Sequence, residues 1–245
     1  MYDRRLTVTK ALIIINVVVF MVGLMVQREA MLGISFPQAP KTSVFEITCA
    51  YSWFTCFLEG QFWRMVTYQF VHANFGHILF NMWALFFFGP AVENAMGPRR
   101  FLLFYLVCGI AGALFSSLLA GMGLYTSIPD TAQNEYICNQ LAAFAGFDGY
   151  VYCWQMIPLV GASASIYGVM VACAFMYPDV QISLLFPPVT LRLRTFALII
   201  IGIASATILF NLGNAGGEAG HLGGIIMGAI IMAAWKYRSR YNQPW

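Results

Sequence analysis

Long uncharged stretches alternate with short polar clusters along this chain, and the stretches have the length of membrane-crossing helices. Six can be marked, at approximately 11–26, 76–96, 101–122, 162–177, 195–212 and 219–235. Each approaches the ~17 to 25 apolar residues that cross ~30 Å of hydrocarbon. No small-residue cleavage site follows Val26 before the chain turns charged at Arg28 and Glu29, so the first stretch reads as a spanning anchor and not a signal peptide. Three connections are short, which makes the spans they join antiparallel neighbours. The other two, about 27–75 and 123–160, are long. The former carries Pro37, Pro40 and the run Phe62-Trp63-Arg64, which predicts a structured element at the membrane surface. The latter holds Asp130, Glu135 and Asp148 and no basic residue, and its size predicts short helices over the outer mouth of the bundle. No internal repeat, low-complexity tract or separate soluble domain is visible. The pattern is that of an all-α membrane protein, a single six-helix domain over residues 1–245.

Composition agrees. The chain is 60% hydrophobic and 9% charged, with a mean hydropathy of +0.72, against roughly 25% charged residues in a soluble domain. Lys and Arg orient it. Arg4, Arg5, Lys10, Arg99, Arg100, Arg192, Arg194, Lys236, Arg238 and Arg240 fall on one side, and only Arg28, Lys41 and Arg64 on the other. The richer side is cytoplasmic, so both termini are expected there. The net charge of +3 does not point to nucleic acid, because these residues fringe helices and form no single patch. Cys108 and Cys173 lie within predicted spans, whereas Cys49, Cys56, Cys138 and Cys153 fall in the outer loops. Disulfides and free thiols are both open readings for those four. No zinc spacing is present.

Polar residues at membrane depth are costly and mark functional sites by default. Three places qualify. His72, His77 and Asn81 stand at the outer start of the second span, with His77 and Asn81 on one helical face at i, i+4. Ser163 follows Gly161 at the start of the fourth, and His221 follows Gly220 at the start of the sixth. All three spans begin outside, so these groups converge at one depth. A serine hydroxyl is a weak nucleophile until a neighbouring imidazole takes its proton. The oxyanion that follows needs donors, and the N–H of Ser163, the helix dipole, His77 and Asn81 are candidates. Glu218 lies before the predicted start of the sixth span, so no carboxylate is expected to orient His221. A Ser–His dyad is the expectation. Gly224 and Gly228 form a small-residue stripe below His221 that would let the sixth helix approach the Gly161, Ala164 and Gly168 face of the fourth. Tyr167, one turn after Ser163, is placed to stack on the imidazole.

These residues resemble the rhomboid family of intramembrane serine proteases, from about Phe62 to Trp235. Trp63-Arg64 is similar to the family's W-R element, and His72, His77 and Asn81 to its H-x4-H-x3-N pattern. Glu93 and Gly97 resemble its E-x3-G, Gly161-Ala162-Ser163 its nucleophile motif, and His221 with Gly224 its A-H-x-x-G. Two departures stand out. Ala164 occupies the position after the nucleophile where the family usually has Gly, and Gly220 precedes the histidine. The resemblance implies a six-helix fold with a water-filled cavity opening to the non-cytoplasmic side and residence in the cell membrane. It also implies cleavage of membrane-anchored proteins in or near their transmembrane segments, with substrates moving in from the bilayer past the fifth helix. No metal or organic cofactor is needed for this chemistry.

Blander readings accompany each assignment. His72 can be a solvated loop residue, His77 and Asn81 an interhelical pair, Ser163 an N-cap, and His221 a satisfied bundle histidine. Ser165 is a rival nucleophile on another helical face. Glu93 reads as a polar contact to Arg99 and Arg100 at the helix end, and Trp63 and Arg64 as loop anchors. The competing function is a rhomboid-like protein that binds membrane clients without cutting them. A transporter is disfavoured, since no inverted repeat or paired broken spans are seen.

Overall fold

The computed structural model describes residues 6–29, 41–124, 158–183 and 188–241. Arg4, Arg5, Pro37, Pro40, Cys138, Cys153 and the acidic residues 130, 135 and 148 lie outside them, as does most of the second long loop. The elements run α1 (Val8–Met25), β1 (Gln27–Glu29), β2 (Lys41–Ser43), α2 (Val44–Cys49), α3 (Arg64–Thr67), α4 (Phe75–Met96), α5 (Pro98–Gly121), α6 (Ser163–Met176), β3 (Gln181–Ser183), β4 (Thr190–Arg192), α7 (Leu193–Leu209) and α8 (Ala215–Tyr241). Each predicted span falls on one apolar helix. The widest discrepancies are at α8, which starts at Ala215 and not near 219, and runs on to Tyr241.

Helices α1, α4, α5 and α8 are long and apolar enough to cross a membrane, whereas α6 has 14 residues and α7 has 17. A 14-residue helix rises only about 21 Å, short of the ~30 Å hydrocarbon thickness. Its surroundings explain why that is tolerated. α6 packs against α4, α5, α7 and α8 and is buried along most of its length, so most of its surface meets protein groups. Leu85, Val92, Phe101, Phe104, Ile166 and Val169 form the centre of the core around it. Ile14, Val18, Phe80, Phe86, Leu103, Leu198 and Ile203 are exposed on the outside, the composition of a lipid-facing surface.

Local chemistry sets the helix boundaries. The Thr7 side chain accepts from the Lys10 N–H to cap α1, and Asn74 does the same for the His77 N–H at α4. Gly97, at φ +81°, ends α4 and hands over directly to Pro98, the first residue of α5. Glu93 is not paired with Arg99 and Arg100, which are exposed. Its carboxylate instead accepts from the N–H groups of Val8 (2.7 Å) and Thr9 (2.8 Å) and from the Thr9 hydroxyl (2.6 Å). An anion thus satisfies the unpaired donors at the start of α1. One turn earlier Gly89 leaves room for Thr9, which a Cβ there would meet at 2.8 Å.

The first long loop is tied to the bundle by polar bonds. Arg64 is buried and donates to the Ala50 carbonyl (2.8 Å) and to Gln61 Oε1 (2.5 Å). The Trp63 indole donates to the Thr48 carbonyl at 3.4 Å while 56% of the residue stays exposed. Tyr51 and Leu159 exchange two backbone hydrogen bonds, of 3.0 and 2.7 Å, joining this loop to the segment before α6. Cys49, Cys56, Cys108 and Cys173 are free thiols.

Candidate active site

The approach to α6 is a tightened turn. Gly161 has φ +119°, a conformation that disfavours any side chain, and its N–H donates to the Tyr68 carbonyl at 2.9 Å. The Tyr68 hydroxyl in turn donates to the Gly109 carbonyl of α5 at 2.6 Å, and burial pushes that phenol well above its ordinary range. Ala162 is the N-cap and supplies no side-chain cap, so Ser163 is the first helical residue and not the cap.

This turn lies against α4. A Cβ on Gly161 would lie 2.6 and 2.7 Å from Cε1 and Nε2 of His77 and 3.7 Å from the Ser163 hydroxyl oxygen. The missing side chain therefore lets the His77 imidazole edge lie directly against Gly161, two residues before the serine. On α8, the His221 ring lies flat on Tyr167, with centroids 4.2 Å apart and planes 8° from parallel. Gly224 and Gly228 put the α8 backbone directly on α6. A Cβ on Gly224 would collide with the Ala164 carbonyl, and one on Gly228 would come within 2.9 Å of Gly168 Cα. Close approach through small residues is the usual way helices associate in a membrane.

Ala164 is 4% exposed, and its methyl group points at Gly112 of α5, where an added Cβ would be 2.5 Å away. The Ala164 methyl group is thus accommodated on the α5 side. The same Gly112 position faces the Gly220 carbonyl at 2.6 Å, so one notch accommodates the residue after Ser163 and the one before His221.

Ser165 is fully buried and donates to Gln69 Oε1 at 2.8 Å. Gln69 is itself buried, and its amide donates to the Met65 and Leu106 carbonyls. The Ser165 hydroxyl is thus enclosed within the bundle. Asn81 is buried one turn below His77. His72 is not a solvated loop residue: it is 5% exposed, its Nε2 accepts from the Ala162 N–H at 3.5 Å, and its ring meets His77 edge-on with centroids 5.1 Å apart. Burial, with a smaller push from His77, lowers its pKa to about 3, so it is neutral at physiological pH.

One expectation is reversed. Glu218 does not lie outside the sixth helix, because α8 begins at Ala215 and places it in the first turn. Its Oε2 lies 3.0 Å from His221 Nδ1. The i, i+3 spacing of these two residues is the sequence signal for this contact, and it counts only when the helix starts before Glu218. Gln69 and Gly112 had no such local signal. Among the described residues no group of three or more His, Cys, Asp or Glu side chains is arranged to hold a metal ion.

Comparison with known proteins gives a consistent picture. A family model described as Rhomboid domain matches residues 59–238. The chain is 30% identical over 180 residues to Rhomboid protease AarA of Providencia stuartii, covering 73% of this chain and 57% of that protein. It is 27% identical over 176 residues to Rhomboid protease GluP of Bacillus subtilis, covering 72% and 26% respectively. It is also 32% identical over 79 residues to Inactive RHOMBOID-like protein 8 of Arabidopsis thaliana, covering 32% and 22%. The chain therefore spans little more than half the length of the first of these relatives and about a quarter of the others.

Proposed function

Because the chain belongs to the rhomboid family, we propose that it is an intramembrane serine endopeptidase, with Ser163 as nucleophile and His221 as general base. The observation that carries this reading is the parallel stack of Tyr167 on His221 at 4.2 Å. Tyr167 lies one helical turn after Ser163, so the stack sets the imidazole beside the face of α6 that bears the hydroxyl. In the reaction the Ser163 oxygen attacks the scissile carbonyl carbon as its proton passes to His221 Nε2. The oxyanion is met by the Ser163 N–H, His77 and Asn81. Collapse breaks the C–N bond, the leaving amine takes the proton from Nε2, and water then repeats the sequence to release the acyl group. Gly161 keeps His77 close, and His72 donates no positive charge to the site.

The integral membrane setting follows from the apolar helices and the family. In the topology we propose, α1 and α4 to α8 all span, and residues 1–245 form one rhomboid-like domain. Both termini are cytoplasmic and the site opens to the non-cytoplasmic face of the cell membrane. The shortness of α6 supports a recessed site, since its rise falls about 9 Å short of the hydrocarbon thickness. Water has to reach Ser163 at that depth for deacylation. Substrates are transmembrane proteins moving in laterally past α7, and helix-breaking sequences favour cleavage by freeing the scissile backbone.

The test is cleavage of single-span substrates by the purified chain in liposomes. Wild type and Ser165→Ala are expected to cut, whereas Ser163→Ala and His221→Ala lose roughly 10⁴-fold or more. Equal cutting by Ser163→Ala would overturn the assignment. A wild type that binds these substrates yet cuts none would identify a client-binding member of the family.

A further inference from the structure

Histidine has two ring nitrogens, and a base that works through one needs the other held. In α8 the Glu218 N–H donates to the Asn214 carbonyl at 3.0 Å, fixing the residue in the first helical turn. From there its carboxylate reaches Nδ1 of His221 at 3.0 Å, with the two side chains only 18% and 13% exposed. Tyr167 covers the face of the same ring. Stacking restrains tilt and the bond to Nδ1 restrains rotation, so the two contacts leave the ring little freedom.

We infer that Glu218 is a positioning residue that extends the Ser163–His221 pair into a Ser–His–Glu triad. The inference rests on the protease reading above. The carboxylate accepts from Nδ1–H, which selects the tautomer with its lone pair on Nε2. When the Ser163 proton moves to Nε2 the ring becomes an imidazolium, and the adjacent carboxylate stabilises that charge. The Nδ1 proton stays on the ring and the carboxylate stays ionised. The proton on Nε2 leaves with the amine in acylation and returns to the Ser163 oxygen in deacylation, so the His221–Glu218 pair regains its starting protonation after each half-reaction and Ser163 is freed by the second. An uncharged amide at position 218 would keep the side chain's shape but could present N–H to Nδ1, which favours the wrong tautomer.

The experiment compares wild type, Glu218→Gln, Glu218→Asp, Glu218→Ala and Ser163→Ala in liposomes. It reads kcat and KM on a single-span substrate, the rate of Ser163 labelling by a fluorophosphonate, and the thermal midpoint. Expected for Glu218→Gln is a fall of roughly 10²-fold or more in kcat and in labelling rate, with KM within about twofold and the midpoint unchanged. Glu218→Asp is expected to recover most of that loss. Wild-type kcat and labelling in both Glu218→Gln and Glu218→Ala, with Ser163→Ala inactive, would overturn the triad and leave the protease reading intact. Losses that track a lowered midpoint in every variant, Asp included, would reduce Glu218 to a structural residue and also overturn it. Equal cutting by Ser163→Ala would instead remove the protease reading itself.

Discussion

The Gly112 notch turns the unusual Ala164 into a quantitative prediction. Gly112→Ala would place a methyl carbon 2.5 Å from the Ala164 Cβ and 2.6 Å from the Gly220 carbonyl oxygen. Carbon atoms in contact prefer about 3.5 to 4.0 Å, so relief requires α5 to retreat from α6 and α8 by about 1 Å. Overpacking of this kind costs about 1 to 3 kcal/mol. Turnover should fall as well, because the two obstructed residues are the chain neighbours of Ser163 and His221. A displacement of about 1 Å between reacting groups costs about 10²-fold in rate. Adding Ala164→Gly removes the methyl–methyl clash but not the one with the Gly220 carbonyl, so the double variant should recover part of the lost rate. The assay is a double-mutant cycle on liposome cleavage with thermal midpoints measured alongside. Strictly additive effects of the two substitutions, or a Gly112→Ala protein with wild-type rate and midpoint, would refute the notch.

Three further expectations follow from individual contacts. Gly161→Ala combines an unfavourable φ of +119° with a Cβ 2.6 Å from His77 Cε1; it should lower kcat by about 10²-fold and stability by about 1 to 3 kcal/mol, and wild-type turnover would contradict the role given to this turn. Glu93→Ala leaves the donors of Val8, Thr9 and the Thr9 hydroxyl unsatisfied, so it should cost about 2 to 4 kcal/mol and make α1 the first segment cut in limited proteolysis. His72, held neutral by burial and by His77 with its pKa near 3, takes up a proton on unfolding below about pH 6.5. Stability from this group is therefore complete above pH 6.5 and drains away as pH falls toward 3; the pH dependence of the thermal midpoint between 7 and 4 should flatten in His72→Gln.

Several motif positions have structural tasks of their own. Trp63, Arg64, Glu93 and Gly97 hold loops and helix ends, and each does so through a hydrogen bond that involves a backbone group. Gly224 and Gly228 act only by lacking a side chain. What they allow is backbone contact between α6 and α8, and that contact supports the Tyr167–His221 stack.

Features governed by near neighbours in the chain were legible in the sequence. Apolar run lengths marked the helices, and the i, i+4 relation set Tyr167 on the face of Ser163 and Asn81 on that of His77, because helical geometry fixes those pairs whatever surrounds them. Glu218 was legible in principle through its i, i+3 spacing to His221, but capping signals define a helix start only to a few residues, and four residues decided whether the carboxylate was inside or outside. The remaining facts depend on partners far along the chain. Glu93 meets Thr9 across 84 residues and Ser165 meets Gln69 across 96, while Ala164 finds its room at Gly112. Only the packed bundle decides these, because the space left by an absent side chain and the direction of a buried donor exist only once helices distant in sequence have been brought together.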